Sequence, residues 1–259
     1  MKIASFNING IRARLACVLR WLEECQPETV LLQEIKCTDG NFPRGVFEEL
    51  GYQVETHGQK SFNGVAILSK FPLEFVTRGL PGDASDVQAR WIEAVISAPT
   101  PIRVCCLYLP NGNPAPGPKF EYKLAWMERL HRRAAELIAL EEPALLAGDF
   151  NVIPQSEDAE TPEEWVTDAL FRHETRQRWR QLLHVGFTDA LRAINRQPST
   201  YTFWDFQRGA WERNDGIRID HFLLTPQCAD LLMECGIDQH IRGWEKPSDH
   251  VPIWVTLRD

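Results

Sequence analysis

The chain has no apolar run approaching the ~18 residues that a membrane-spanning helix needs. Its first ten residues, MKIASFNING, lack the basic start and long apolar stretch of a secretory signal, so the cytoplasm is the expected compartment and no membrane partner is expected. It also lacks any C-x-x-C pair. The seven cysteines (Cys17, Cys25, Cys37, Cys105, Cys106, Cys228 and Cys235) are odd in number and scattered, which points to reduced, mostly buried thiols rather than a disulfide framework or a zinc ribbon. No P-loop, G-x-G-x-x-G or G-x-S-x-G occurs, so the chemistries those motifs carry are not indicated. Positive charge is short as well: 28 Lys and Arg stand against 36 Asp and Glu, a formal net charge of -8. That balance argues against a polyanion binder using its whole surface, but it suits a site that gathers divalent cations and permits a local basic face. Linker composition, internal repeats and low-complexity tracts are missing too; the proline-rich PNGNPAPGP at 110–118 is too short to separate domains. A single domain over residues 1–259 is expected.

What is present is an ordinary globular composition, 44% hydrophobic and 25% charged, enough for a sizeable core. Eight short apolar, β-rich runs recur: KIASFNI, ETVLLQ, NGVAILS, WIEAVIS, IRVCCLYL, PALLAGDF, DHFLLT and PIWVTL. Three helical patterns lie between them. In KFEYKLAWMERLHRRAAELIAL, Lys119 to Leu140, Leu124, Met127, Leu130, Ala134, Leu137 and Ile138 recur at three-to-four spacing. ARLACVLRWLEECQ and TRQRWRQLLHVG follow the same period, the second closed by Gly186 as a helix C-cap. The runs RWIEAVIS and IRVCCLYL, joined by APTP, form an expected antiparallel hairpin. The chain is therefore expected to be α/β with mixed sheets.

Several strands end in polar groups for which a core has no use. KIASF runs into Asn7, Asn9 and Gly10; TVLLQ ends at Glu34; CCLYL carries Tyr108 and leads to Asn111. ALLAG delivers Asp149 and Asn151, RID places Asp220 and His221 at a strand start, and Asp249-His250 precedes the last strand. A single polar residue of this kind is ordinarily a solvated strand terminus, but six such ends in one chain point to a shared rim. Carboxylates and amides without thiolates suit Mg²⁺ or Mn²⁺, with Glu34 and Asp249 the natural ligands. Phosphate is the substrate group that most needs such an ion.

Taken with KIASFNINGIRAR, LLQEIKC, NGVAILSK, LYLPNG, LLAGDFNV, STYTFWDF, GIRIDHFLL and KPSDHVPIWVTL, in that order along the chain, the sequence resembles the exonuclease III family of abasic-site endonucleases within the endonuclease/exonuclease/phosphatase superfamily. The resemblance implies a four-layered α/β sandwich, two mixed β-sheets packed face to face and flanked by helices. It implies a Mg²⁺-dependent hydrolase, with Mn²⁺ able to substitute, that cuts double-stranded DNA 5′ to abasic sites and trims 3′-blocked ends as 3′-phosphodiesterase, 3′-phosphatase and 3′-to-5′ exonuclease. Carried over by motif, Glu34 is the main metal ligand with Asn7 and Asp249 beside it, and a second metal position lies near Asp149 and Asn151. Asp220 orients His250, which polarises the phosphate. Asp149 activates water and returns a proton to the leaving oxygen, Asn151 positions the attacked phosphate or water, and Tyr108 and Asn111 contact the phosphate. Asn9 stands where some relatives carry an aspartate.

The family places the pocket for a flipped abasic sugar at Phe203, Trp204, Ile217 and Ile219, Ile217 standing where relatives carry tryptophan. Basic candidates for phosphate contact are Arg12, Arg14, Lys36, Lys60, Arg208, Arg213 and Arg218. Trp211 is a candidate groove wedge. Members specialised for 3′-end cleaning block the flipped sugar from the 155–176 region, where this chain carries Trp165 and His173. An enzyme that processes 3′ ends with little abasic-site incision is the alternative, followed by other superfamily phosphodiesterases and a non-catalytic DNA-binding module. The intact set Asn7, Glu34, Tyr108, Asp149, Asn151, Asp220, Asp249 and His250 weighs against a dead scaffold. A monomer without an obligate protein partner is expected.

Overall fold

The computed structural model describes residues 1–258. In chain order the main elements are β1 (Lys2–Asn7), α1 (Ile11–Cys25), β2 (Thr29–Gln33), α2 (Arg44–Glu48), β3 (Gln53–His57), β4 (Val65–Ser69), β5 (Leu73–Arg78) and β6 (Trp91–Ile96). There follow β7 (Ile102–Tyr108), α3 (Pro118–Ala139), β8 (Ala144–Asp149), α4 (His173–Val185), β9 (Thr188–Asp189), α5 (Ala190–Ile194), β10 (Asp220–Leu224), α6 (Pro226–Ala229), β11 (Leu232–Ile237) and β12 (Ile253–Leu257).

The strands form two six-stranded sheets, ordered β11-β12-β1-β2-β4-β3 and β5-β6-β7-β8-β10-β9. Each sheet has one parallel pair at its centre, β1 with β2 and β7 with β8, and antiparallel neighbours elsewhere. A parallel pair needs a crossover, and α1 and α3 supply the two. The helices obey the expected end rules. Gln26 closes α1 in the left-handed conformation at φ 45°, Pro118 opens α3, and Gly186 at φ 130° ends α4.

The two-residue period of a strand builds the layers. Ile3, Leu31, Val104, Leu145, Phe222 and Val255 face the opposite sheet in one buried cluster. Ala4, Phe6, Val30 and Leu32 face Val18, Trp21 and Leu22 of α1, while Cys105, Leu107, Leu146 and Leu223 face Trp126, Met127 and Leu130 of α3 and Trp179 of α4. Helix, sheet, sheet, helix is the four-layered α/β sandwich expected from the sequence. Full burial of each such aliphatic side chain is worth about 1.5–3 kcal/mol. The hairpin of β6 and β7 forms as anticipated, and all seven cysteines are free. No helix among the described residues is long and apolar enough to cross a membrane.

Candidate active site

The same parity that builds the core assembles the site. Asn7 continues the inward face of Ile3, Tyr108 that of Val104, and Asp149 that of Leu145, so all three point between the sheets at the C-terminal ends of the parallel pairs. Register brings them level: Asp149 lies opposite Tyr108 on β7 and opposite Asp220 on β10. Asp220 is inward, so its neighbour His221 is outward, packed 4.4 Å from the Trp179 ring. His221 is therefore a core histidine. Burial, helped by Arg218, lowers its pKa to about 3 and keeps it neutral.

Backbone strain aims the remaining groups. Glu34, Asn9 and Asn151 all have φ between 45° and 52°, a left-handed conformation that asparagine adopts readily but that a glutamate holds only where its surroundings enforce it. Gly148 explains the glycine of GDFN: at φ 147°, a Cβ there would sit 1.9 Å from the Leu107 carbonyl oxygen. Only glycine lets β8 lie this close to β7 while presenting Asp149.

One carboxylate oxygen of Glu34, one of Asp149 and a ring nitrogen of His250 lie within 4.8 Å of one another. Asn7 Nδ2 donates to both carboxylates, to Glu34 Oε1 at 3.0 Å and Asp149 Oδ2 at 2.9 Å. His250 Nδ1 is 2.8 Å from Asp220 Oδ2, and its Nε2 is 3.7 Å from Asp149 Oδ2. The cluster KPSDH is explained by its serine as well as its charged pair. Ser248 Oγ donates to the Asn7 carbonyl at 2.8 Å, so the loop before β12 is fastened to β1, and Asn9 Nδ2 donates to Asp249 Oδ1 at 3.0 Å.

Burial raises the Asp149 pKa; Asp220 and Glu34 raise it further, against the opposing pull of His250. Burial lowers that of His250, but Asp220, Asp149 and Asp249 outweigh it and the net shift is upward, which favours the imidazolium. Tyr108 is raised well above its ordinary value by burial and by the Glu34 and Asp149 charges, so it remains a phenol and a hydrogen-bond donor.

These groups open on a cavity of about 320 Å³. Its rim carries Glu34, Tyr108, Asn111, Asp149, Asn151 and Asp249; its apolar wall is Trp165, Leu170, Phe203, Ile217 and Ile219. Phe203 and Ile217 exchange backbone hydrogen bonds at 3.0 Å, and the Phe203 ring lies 5.0 Å from His250 edge to face. Of the four residues expected to form the sugar pocket, Trp204 is fully buried behind it, 5.0 Å from Trp211. Trp211 is half-buried in that contact, whereas Phe206 is 49% exposed. Arg218 does not reach the cavity. It is fully buried, donating to Asp158 at 2.6 Å and Asp189 at 2.9 Å, with His221 Nδ1 at 3.0 Å, and it opens instead on a separate cavity beside α4 and α5. His173 likewise begins α4 away from the site. Arg12, Lys60 and Arg208 are exposed, Arg14 donates to the Pro247 carbonyl, and Arg213 is paired with Asp215.

The donor set fits a hard divalent cation. Glu34 accepts the Lys36 ammonium at 2.8 Å, so a cation already stands against this carboxylate, and Asp149 and Asp249 add oxygens nearby. Asn151 is committed differently: its Oδ1 accepts from Asn111 at 3.1 Å and its Nδ2 donates to the Leu109 carbonyl at 3.0 Å. Lys123 is the group that motif reading missed. Its terminal nitrogen, fully buried and with its pKa pushed down to about 7 by that burial against the pull of Asp149 and Asp168, donates to the carbonyls of Asn111 at 3.0 Å and Asn151 at 2.6 Å. The signal was legible, because Lys123 falls on the apolar stripe Phe120, Met127, Leu130, Ala134 and Leu137 of α3.

Residues 4–250 match the Endonuclease/Exonuclease/phosphatase family, and the chain belongs to that family. Within it, the chain is 35% identical to exodeoxyribonuclease III of Haemophilus influenzae over the whole of both proteins. It superposes on an AP endonuclease from Archaeoglobus fulgidus with a TM-score of 0.94, at 37% identity and 99% coverage of each chain. The 3′ phosphatase NExo from Neisseria, bound to a product DNA hairpin, gives 0.96 at 34% identity over all of both chains. The expected family, fold and class of hydrolase are all met by these likenesses.

Proposed function

We propose that residues 1–259 form one catalytic domain that cuts duplex DNA 5′ to abasic sites and trims 3′-blocked ends. The observation that carries this is the meeting of Glu34, Asp149 and His250 at the foot of a small cavity with an apolar wall. A cavity of about 320 Å³ is at the low end of ligand sites, suited to a sugar without its base. Mg²⁺, held by Glu34 with Asp249 and Asn7 beside it, would neutralise phosphate charge. Asp149, whose raised pKa favours proton uptake, takes the proton from the attacking water as its oxygen bonds to phosphorus. The bond from phosphorus to the 3′ oxygen breaks, and that oxygen receives the proton. His250, cationic through Asp220, and the Tyr108 phenol donate to the phosphate oxygens, and Asn111 and Asn151 position the group under attack.

Trp165 in the cavity wall favours a second reading, in which the sugar is partly blocked and 3′ ends are the main substrate. Two labelled duplexes with Mg²⁺ decide between them, one with an internal abasic analogue and one nicked with a 3′ phosphate. Incision of the first, lost in Glu34→Gln, is expected. Removal of the 3′ phosphate without incision would assign the protein to 3′-end processing, with Trp165→Ala then expected to restore incision. Silence on both would overturn the proposal.

A further inference from the structure

Three loops line the cavity: the one after β7 with Asn111 and Asn113, the one after β8 with Asn151, and the segment of Trp165, Asp168 and Leu170. They share a small apolar cluster, to which Ala115, Ile153, Trp165, Ala169 and Leu170 contribute, and they are also joined by polar bonds. Asn111 Nδ2 meets Asn151 Oδ1, Asn113 Nδ2 donates to both oxygens of Asp168 at 3.0 Å, and Asn113 Oδ1 accepts the Ala169 N–H at 3.1 Å. Lys123 rises from α3 beneath all three. Its terminal nitrogen bonds to the Asn111 and Asn151 carbonyls, and its stem runs against the backbone of Gly112. A Cβ on Gly112, at φ 93°, would fall 2.6 Å from Lys123 Cδ and 3.1 Å from Ala169 Cβ, so the glycine keeps the channel for the stem open.

A buried ammonium is costly unless it is fully hydrogen-bonded, and an apolar side chain would fill this helical stripe at no such cost. Its two carbonyl partners belong to the very residues proposed to hold the phosphate. We infer that Lys123 is a positioning residue of the phosphodiesterase reaction, fixing the separation of Asn111 and Asn151 so that their amides meet the scissile phosphate together. It touches no substrate and acts through those two backbones. Displacement of a positioned group by about 1 Å costs on the order of 10²-fold in rate, so the effect belongs in kcat.

This inference rests on the phosphate-positioning role proposed for Asn111 and Asn151, and the test separates the two. In Lys123→Met, kcat on an abasic duplex should fall 10- to 100-fold, on the same principle of misplacement, while KM for DNA and the Mg²⁺ concentration for half-activity stay within about 3-fold. Because Lys123 acts through Asn151, adding Lys123→Met to Asn151→Ala should cost much less than Lys123→Met costs the parent. Full additivity in that cycle, as a merely structural lysine would give, overturns the inference. So does a folded Lys123→Met with the parental kcat. Asn151→Ala with undiminished kcat would instead remove the underlying role and the inference with it. Lys123→Gln keeps an N–H donor and covers the case in which Lys123→Met does not fold. It should show the same kcat-limited loss in smaller degree, and a parental kcat in this variant overturns the inference as well.

Discussion

Asp220→Asn removes one negative charge from beside His250 while keeping the shape of the side chain. The two groups meet at 2.8 Å with 4% and 2% of their side chains exposed, so solvent screens little of the contact. A hydrogen bond to a charged group is worth about 1.5–3 kcal/mol and a neutral one about 1, so the imidazolium loses roughly 1–2 kcal/mol of preference. At 1.36 kcal/mol per pKa unit, that lowers the His250 titration by about one unit, the remaining upward pull coming from Asp149 at 3.7 Å and from Asp249. The assay is an NMR titration of the His250 ring in Mg²⁺-free protein, with thermal melts at each pH. Because the folded pKa of His250 is raised, its stabilising contribution is complete below about pH 6.5, the unfolded value, and is lost as pH rises through the folded one. Asp149 acts in the same direction: its folded pKa is also raised, so the folded chain binds more protons than the unfolded one as pH climbs from the unfolded carboxylate value of 3.8. Metal-free parent protein should therefore lose stability with rising pH, and Asp220→Asn should lose less of it through the His250 window. An unchanged His250 titration in folded Asp220→Asn would refute the account of the pair.

Glu34→Gln should weaken Mg²⁺ binding at least 10-fold, on the order of a lost first ligand, as read by calorimetry without DNA; unchanged binding would move the metal site elsewhere. Arg218→Met removes the buried cation that Asp158 and Asp189 share, although Asp158 keeps Arg192 at 2.5 Å, so the loss falls at the low end for a broken buried pair, about 3 kcal/mol, or roughly 10 °C in Tm for a chain of this size. KM for DNA should stay at the parental value, and a raised KM with an unchanged Tm would return Arg218 to the substrate.

The eight apolar runs found in the sequence are the eight interior strands, and the four strands that escaped, β3, β5, β9 and β11, are the four sheet edges. The cause is physical. An interior strand is covered by the other sheet on one face and by helices on the other, so it is continuously apolar, as in β2, β4 and β8. The edges are half solvated, and β5 and β11 have no fully buried residue to reveal them. The site divided along a similar line. Residues at inward strand ends, Asn7, Tyr108, Asp149 and Asp220, could be placed from their positions along the chain. Arg218 and Trp204 could not, because neither lies within a strand: β10 begins only at Asp220 and Phe203 makes an isolated bridge, so the two-residue period does not extend to them. Lys123 was hidden because a lysine on a helix is ordinarily solvated, and only its phase along α3 betrays it.

Glu34 follows a strand of one sheet and Asp149 ends a strand of the other. The distance across which water, metal and phosphate must be arranged is thus an interlayer thickness, fixed by the buried side chains that keep the sheets apart, Leu31, Val65, Ile92, Val104 and Leu145 among them. Close-packed interiors transmit a change of even one methylene. Turnover in this architecture is consequently adjustable from inside the sandwich, by core volumes far from the cavity, and a variant selected for heat or cold can retune its chemistry without altering a single group that meets DNA.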